Sequence, residues 1–482
     1  MPVTRLTLLV LLAAAIVAGA ALVLRDDADP RPAVPSATAG LPDTDPLAWT
    51  PERSDEYAER AADGLAHPLY TLTADGVALA AERTTALREP LERAAGEHGV
   101  DPDTLEAVVF LESAGRPEAQ ASDDLAGAVG LGQILAETAT SLLDMRVDLA
   151  ASKRVTRQMV KAAERGRTRE VERLRAVRRE VDERFDPIAS LDGAARYLAI
   201  ARDELGRDDL AVASYHMGMG NLQTALDLYG EGTVPYAQLF FDATPAAHPD
   251  TWRFLYGLGD DSATYLWRVE AAREILRLHR DDPDELRRLT RLMNERNSAE
   301  VVLHPPGETE AYADADELAE AYDEGELVAL PREYLLRHGV RVDPQMGELA
   351  ERLDQDPKLY RGLRREALAT LAYIGAAVHR DGRSRQPLRV TSTVRAEDYQ
   401  EALRGVTGEA TDGYSLHTTG YSFDIARAYG SDRQATAFQA ALDRLTALNL
   451  IAWVREPGAI HVTVSADADR LVEPMGVLRD DG

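Results

Sequence analysis

The chain has 482 residues, 45% of them hydrophobic, enough for two or three domains with cores of their own. It carries 54 Lys+Arg against 82 Asp+Glu, a formal net charge of -28, which argues against nucleic acid as a partner because phosphate backbones repel so acidic a protein. It contains no cysteine, which excludes disulfides, a thiol nucleophile, a cysteine-ligated metal and a lipid-modified N-terminal cysteine.

Leu6 to Leu24 is an apolar run interrupted only by Thr7, long enough to cross a bilayer. It is expected to form an uncleaved membrane anchor over 1–25. Cleavage at Ala18-Gly19-Ala20 would make it a signal segment instead. Arg5 before the run and Arg25 after it leave its orientation open. Residues 26–47 are rich in Asp, Pro and Ala without apolar period, the composition of a disordered linker. From Ala48 to about Gly96 the chain is dominated by helix formers.

The stretch Gly99 to Gln133 organises the rest of the chain. Asp101 is a natural N-cap, Pro102 suits the first helical position, and Gly115 is a natural stop. Leu105, Val108 and Val109 recur at helical spacing, and Glu112 continues that stripe. A carboxylate on the apolar side of a helix loses hydration, which favours its protonated form, as a general acid requires. Taken alone, Glu112 reads more readily as an end-of-helix glutamate that reaches solvent. Ser113 follows it, and Ala128-x-Gly130-Leu131-x-Gln133 comes a loop later.

From Lys153 to Arg184 there are 12 Lys+Arg and 6 Asp+Glu, a basic island in an acidic protein. Val171, Leu174, Val177, Val181 and Phe185 form a helical stripe, so the sequence predicts a basic helical insert over 150–185. It reads as a packed helix with a solvated basic face, as a cleft wall attracting anionic glycan, or as a surface for anionic lipid. Ala189–Leu205 is predicted helical and contains Gly193-x-x-x-Tyr197-Leu198. Ala213-Ser214-Tyr215-His216-Met217-Gly218-Met219-Gly220 comes next, and a last helix is predicted around Thr264-Tyr265.

Glu112-Ser113, the Gly130–Gln133 segment and the Tyr215–Gly220 segment, in this order, resemble the motifs of the soluble lytic transglycosylases. Those are goose-lysozyme-like enzymes that cut peptidoglycan. The resemblance covers about residues 83–278 and implies an all-helical lysozyme-like domain, placed at 48–280. It implies Glu112 as the catalytic acid, with Ser113, Gln133, Tyr215 and Tyr265 contacting substrate and no cofactor. Tyr215 is expected to hydrogen-bond the acid, although on its own it also suits a core aromatic. His216 stands where the family has Asn, and Met217 where it has a small residue. A glycan-strand substrate places the body of the protein in the cell envelope, outside the cytoplasm, or makes it secreted if the first segment is cleaved. A lysozyme-type hydrolase on the same scaffold and a non-catalytic wall-binding scaffold are the alternatives.

Residues 281–355 are predicted to be a helical connector, acidic from Glu308 to Glu326. Beyond it the pattern changes to strands. Leu388–Val394 alternates, Phe423 and Ile425 flank Asp424, and Ile460, Val462 and Val464 flank His461 and Thr463. Alternation puts Asp424 and His461 opposite the apolar set of their strands. With His417 they offer two imidazoles and a carboxylate, a workable zinc site. Ser415-x-His417-x-x-Gly420-x-x-x-Asp424 followed by a His461 strand resembles the D-Ala-D-Ala metallopeptidases of the hedgehog-type fold. That implies an α+β peptidase-like domain at 356–482, zinc as its metal, a stem-peptide partner, and Arg395 of Ser392-x-x-Arg395 holding the substrate carboxylate. The family's general base is missing, since its usual positions are Thr463 and Gly458 here. Glu456 is the substitute the sequence offers.

Overall fold

Asp101 and Pro102 start the helix Pro102–Ser113: the Asp101 carboxylate accepts the Thr104 backbone N–H at 3.1 Å, and proline fills a first-turn position that needs no N–H donor. The helix stops where Ala114 (φ 52°) and Gly115 (φ 69°) turn left-handed. Only glycine fits at 115, where a Cβ would fall 2.8 Å from the backbone nitrogen of Thr84. The computed structural model describes residues 45–405 and 413–477, so the expected anchor and most of the expected linker lie outside the described residues. Among the described residues no helix is long and apolar enough to cross a membrane.

Leu105, Val108 and Val109 are fully buried, as their spacing predicts. So are Glu106, Ala107 and Phe110, which makes this helix an embedded axis rather than an amphipathic one. The helix Tyr265–Asp281 runs against it, with Val77–Thr85 and Arg88–His98 alongside. Glu106 is compensated inside the core by Arg88 and Arg280, which donate to its Oε2 from 2.8 and 2.7 Å. Among the described residues no strand precedes Leu327, so the N-terminal part is helical throughout.

The basic stretch folds as a hairpin of two helices, Leu149–Glu164 and Thr168–Val181, turned at Gly166 (φ 67°). Val155, Met159, Ala162 and Leu174 close its interior. Arg154, Arg157, Lys161, Arg165, Arg167, Arg169 and Arg173 are exposed. Arg178 and Arg184 turn inward at its base instead: Arg178 stacks on the Phe185 ring at 3.7 Å and pairs with Glu118. Two arginines counted in the basic excess are therefore internal braces.

The C-terminal part is built on two sheets. Strand β1 (Leu327–Ala329) pairs antiparallel with β3 (Gly362–Arg364). Strands β2 (Val340–Val342), β4 (Leu388–Ser392), β5 (Ser422–Ala426), β6 (Ile451–Arg455) and β7 (Ala459–Val464) form a mixed sheet in the order β2-β4-β5-β7-β6, parallel only between β2 and β4. The helices Arg365–Gly382 and Asp432–Ala447 pack together against it. The segment 281–355 is thus not a purely helical connector, because β1 and β2 within it belong to these sheets. Strands of three residues are too short to leave a readable alternation, and their partners are remote in sequence.

The helical and sheet parts share one apolar core, continuous from Leu47 through Phe110 and Trp267 to Ile460 and Val462. The helix Ser54–Gly64 touches both parts, and at Gly64 the approach is so close that a Cβ would sit 2.0 Å from the Thr446 carbonyl oxygen. The expected linker ends earlier than 47. Leu47 is fully buried, and Asp45 accepts from Arg444 at 2.7 Å and from the Tyr373 hydroxyl at 3.2 Å. A single apolar residue and a buried ion pair dock residues that composition alone assigns to a linker.

Removing the Glu106 charge takes from Arg88 and Arg280 their one buried partner and leaves the half-exposed Asp103 between them. Glu106→Gln is expected to lower stability by about 3 kcal/mol, read from the midpoint of chemical denaturation. An unchanged midpoint would show that the pair does not hold the helix.

Candidate functional site

Glu112 lies in the last turn of Pro102–Ser113, where the helix emerges from the core. Its side chain keeps partial contact with solvent, yet the protein around the carboxyl pushes its pKa up to about 7. Burial is the dominant cause; a hydrogen bond from Tyr265 and the charge of Arg268 hold it down in part. The Tyr265 hydroxyl donates to Glu112 Oε1 at 2.7 Å from the first turn of Tyr265–Asp281. Its own pKa is raised well above 10 by burial and by the nearby carboxylate, so it stays a donor at every physiological pH.

Tyr215 has a different role from the one expected. Its hydroxyl donates to the Gly132 carbonyl at 2.7 Å, not to the acid. Its ring stacks on Tyr265 with centroids 6.2 Å apart and planes 8° from parallel, and Tyr197 meets it edge-on at 5.1 Å. Tyr215 thus ties the Gly130–Gln133 loop to the aromatic wall behind the acid. The unusual His216 joins the same wall, stacked on Tyr265 at 5.3 Å with Nδ1 2.9 Å from Ser262 Oγ. Ser262 sits on the short 3-10 helix Asp261–Thr264 that leads into Tyr265, so His216 braces the residue that contacts the acid. Met217 is buried in the core.

Ser113 is buried and donates its hydroxyl to the Val109 carbonyl at 2.9 Å, within its own helix. Gln133, at φ 46°, donates Nε2 to the carbonyls of Gly130 (2.9 Å) and Ala119 (3.2 Å). Both side chains shape backbone beside the acid. Arg184, fully buried, does the same from the hairpin base. It donates to the carbonyls of Leu125 (2.7 Å), Gly127 (3.1 Å) and Ile134 (3.1 Å) while paired with Asp182. Gly130 (φ 82°) passes so near that a Cβ would fall 1.8 Å from the Arg184 carbonyl oxygen. Sequence reasoning missed Arg184, which the surrounding run of exposed arginines conceals.

Residues 158–233 match the family model of the transglycosylase SLT domain. The matched residues include Gly193, Tyr197, Tyr215, Gly218 and Gly220; Glu112 and the Gly130–Gln133 loop precede them. The match supports a lytic transglycosylase type of function on peptidoglycan, carried by a helical SLT-type domain with a mixed sheet C-terminal to it. No curated protein matches the chain.

A second cluster lies in the mixed sheet. Asp424 on β5 is the register partner of His461 on β7 and of Ser392 on β4, as strand alternation requires for facing side chains. His417 comes from the 3-10 helix Leu416–Thr419 beside them. One ligand atom from each of His417, Asp424 and His461 lies within 4.8 Å of the others, and all three residues are buried. Asp424 Oδ1 is 3.3 Å from His417 Nε2 and 2.9 Å from His461 Nδ1. The far nitrogen of His417, Nδ1, lies 2.7 Å from the Thr393 carbonyl, which directs its Nε2 lone pair at the cluster. Burial pushes the His417 pKa down to about 4, so the ring is neutral, as a metal ligand must be. Arg395 donates to Asp424 Oδ2 at 3.1 Å and to Ser392 Oγ at 2.7 Å. One imidazole held neutral, a second imidazole and an ionised carboxylate suit a divalent cation such as zinc.

Where the resemblance leads one to look for a base, Thr463 Oγ1 lies 3.2 Å from His461 Nε2 and 2.9 Å from Ser422 Oγ. Glu456 is in the β6–β7 turn, and its charge reaches His461 only after that of a residue the sequence did not single out. That residue is Glu300, in the short helix Glu300–Leu303 within the expected connector. It is 6% exposed, with Oε2 3.4 Å from His461 Nε2. Nothing in Ser298-Ala299-Glu300-Val301 marks it as a site residue.

Between pH 4.5 and about 7 the folded protein keeps a proton on Glu112 that the unfolded chain has released, so this group lowers stability as pH rises through that window. Glu112→Gln is expected to match wild type at the acid end of the window and to be the more stable of the two above it. Thermal midpoints across the range check this; a pH-independent difference would contradict a raised pKa.

Proposed function

We propose that the helical domain is a peptidoglycan lytic transglycosylase and that Glu112 is its single acid and base. The observation that carries this reading is a carboxyl held near pKa 7 against a permanent hydroxyl donor, Tyr265. Such a group still holds much of its proton at neutral pH and is readily ionised once that proton is given away. In the proposed reaction Glu112 protonates the glycosidic oxygen leaving MurNAc as the bond to its anomeric carbon breaks. The Tyr265 hydroxyl stabilises the carboxylate that results. The carboxylate then removes the proton from the sugar's own six-position hydroxyl, whose oxygen bonds to the anomeric carbon and closes a 1,6-anhydro ring. Glu112 ends as it began, and no water is consumed. The polar groups acting on Glu112 are Tyr265 and Arg268, not a second carboxylate, which favours this route over two-carboxylate hydrolysis.

For the C-terminal domain we propose a zinc-binding, peptidase-like module aimed at the stem peptide of the same polymer. His417, Asp424 and His461 would hold the ion, and Arg395 stands beside them to meet a carboxylate. A bound zinc ion supplies Lewis-acid polarisation of a peptide carbonyl and lowers the pKa of bound water. The N-terminal segment is read as the anchor that keeps both domains in the envelope, outside the cytoplasm.

In a peptidoglycan gel, wild type is expected to clear and Glu112→Gln to lose clearing by about 100-fold or more. Product ends are expected to be lighter by one water than reducing ends. Equal clearing by both proteins would remove Glu112 as the acid. Reducing ends would favour a hydrolase, and no clearing by wild type a wall-binding scaffold.

Wild type is also expected to bind about one equivalent of zinc, lost in His417→Ala. Metal content unchanged in that variant would defeat the site.

A further inference from the structure

The two histidines of the sheet cluster differ in what stands behind them. His417 turns its far nitrogen to a backbone carbonyl of its own domain, Thr393. His461 turns its far nitrogen, Nε2, to the hydroxyl of Thr463 at 3.2 Å and to Glu300 Oε2 at 3.4 Å. The Thr463 hydroxyl is shared with Ser422, so it is a weak and divided partner. Glu300 is not part of the sheet domain's own ligand segment. It comes after the last long helices of the helical domain, Tyr265–Asp281 and Pro283–Met293. Its Oε2 is buried with no hydrogen-bond partner, an expensive state for a carboxylate oxygen unless the group facing it is a donor.

The segment carrying Glu300 is fixed from both sides. Arg296 donates to the Tyr414 carbonyl, and the Tyr414 hydroxyl donates to the His304 carbonyl at 3.2 Å. His304 stacks on Tyr421 at 4.0 Å, and its Nε2 is 2.6 Å from the Val464 carbonyl at the end of β7. These contacts surround the His417–Asp424 strand-and-turn unit and hold Glu300 against His461.

We propose that Glu300 is a positioning residue of the divalent-cation site, accepting the Nε2 proton of His461 so that Nδ1 is presented to the ion. This rests on the zinc reading of the cluster given above. A carboxylate behind a ligating imidazole fixes the tautomer and ring orientation and strengthens the ligand, and loss of such a partner weakens metal binding by about 10–100-fold. The consequence is that the metal site is completed only by the connector, and so by the way the two domains are joined.

The test is zinc affinity of the metal-stripped full chain, measured by competition with a chromophoric chelator. Wild type is expected to bind one equivalent, and His417→Ala none. Glu300→Ala is expected to bind about 10–100-fold more weakly, with Glu300→Gln recovering part because its amide oxygen still accepts. Histidine-selective nitrogen NMR of the zinc-loaded proteins is expected to show a hydrogen-bonded, slowly exchanging His461 Nε2–H in wild type and a fast-exchanging one in Glu300→Ala. That readout would not move if Glu300 only filled space. Wild-type affinity in Glu300→Ala, alongside loss in His417→Ala, would overturn the role of Glu300 and leave the zinc site standing. Failure of wild type to bind zinc would overturn both.

Discussion

The constraint on which the helical domain depends is that one carboxyl, Glu112, is enclosed enough for its pKa to rise to about 7 and still keeps partial contact with solvent. The helix Pro102–Ser113 achieves this by being buried all round from Leu105 to Phe110 and open only in its first and last turns. Its start is capped by Asp101, and its middle is held by the Glu106 ion pairs with Arg88 and Arg280. Its finish is locked at Gly115, and Arg83 donates to the Ala114 carbonyl at 2.9 Å. Glu112 is therefore carried on a rigid rod whose position is over-determined. The bond from Tyr265, on the helix packed against that rod, places a fixed dipole where charge appears when the proton leaves.

The departures from the expected pattern become coherent around that pair. His216, where the resemblance led one to expect Asn, bridges the Tyr265 ring and Ser262. The basic hairpin presents charge to solvent at its tip but works inward at its base. There Arg184 gathers three carbonyls of the loop that Tyr215 and Gln133 also hold. Loop carbonyls that would otherwise be buried without donors are satisfied, and the loop beside the acid is held in one shape.

The sheet part is not an independent appendage. One apolar core runs through both halves, and Asp45, Arg444 and Tyr373 form a buried polar knot where the chain enters it. Gly64 allows backbone-to-backbone approach to Thr446, so the halves meet there with no side chain between them. This continuity is what lets a residue of the connecting segment, Glu300, stand behind His461 of the His417–Asp424–His461 cluster.

By itself the sequence determined whatever is written in neighbouring residues. It set the capped helix that carries Glu112, and the strand alternation that puts Asp424 and His461 on one face. It also set the run of basic residues and the absence of any thiol chemistry. These rest on periodicity, capping and composition, which act over a few residues. The tertiary structure decided which tyrosine touches the acid, which arginines leave the solvated face, where the linker gives way to the core, and that Glu300 joins His461. Tyr265 and Glu112 lie 153 positions apart, and His461 and Glu300 are also distant in sequence, so no local pattern couples them. The three-residue strands β1 and β2 likewise exist only because a remote strand accepts their hydrogen bonds. Desolvation itself is a property of everything packed around a group, and only the folded chain supplies it.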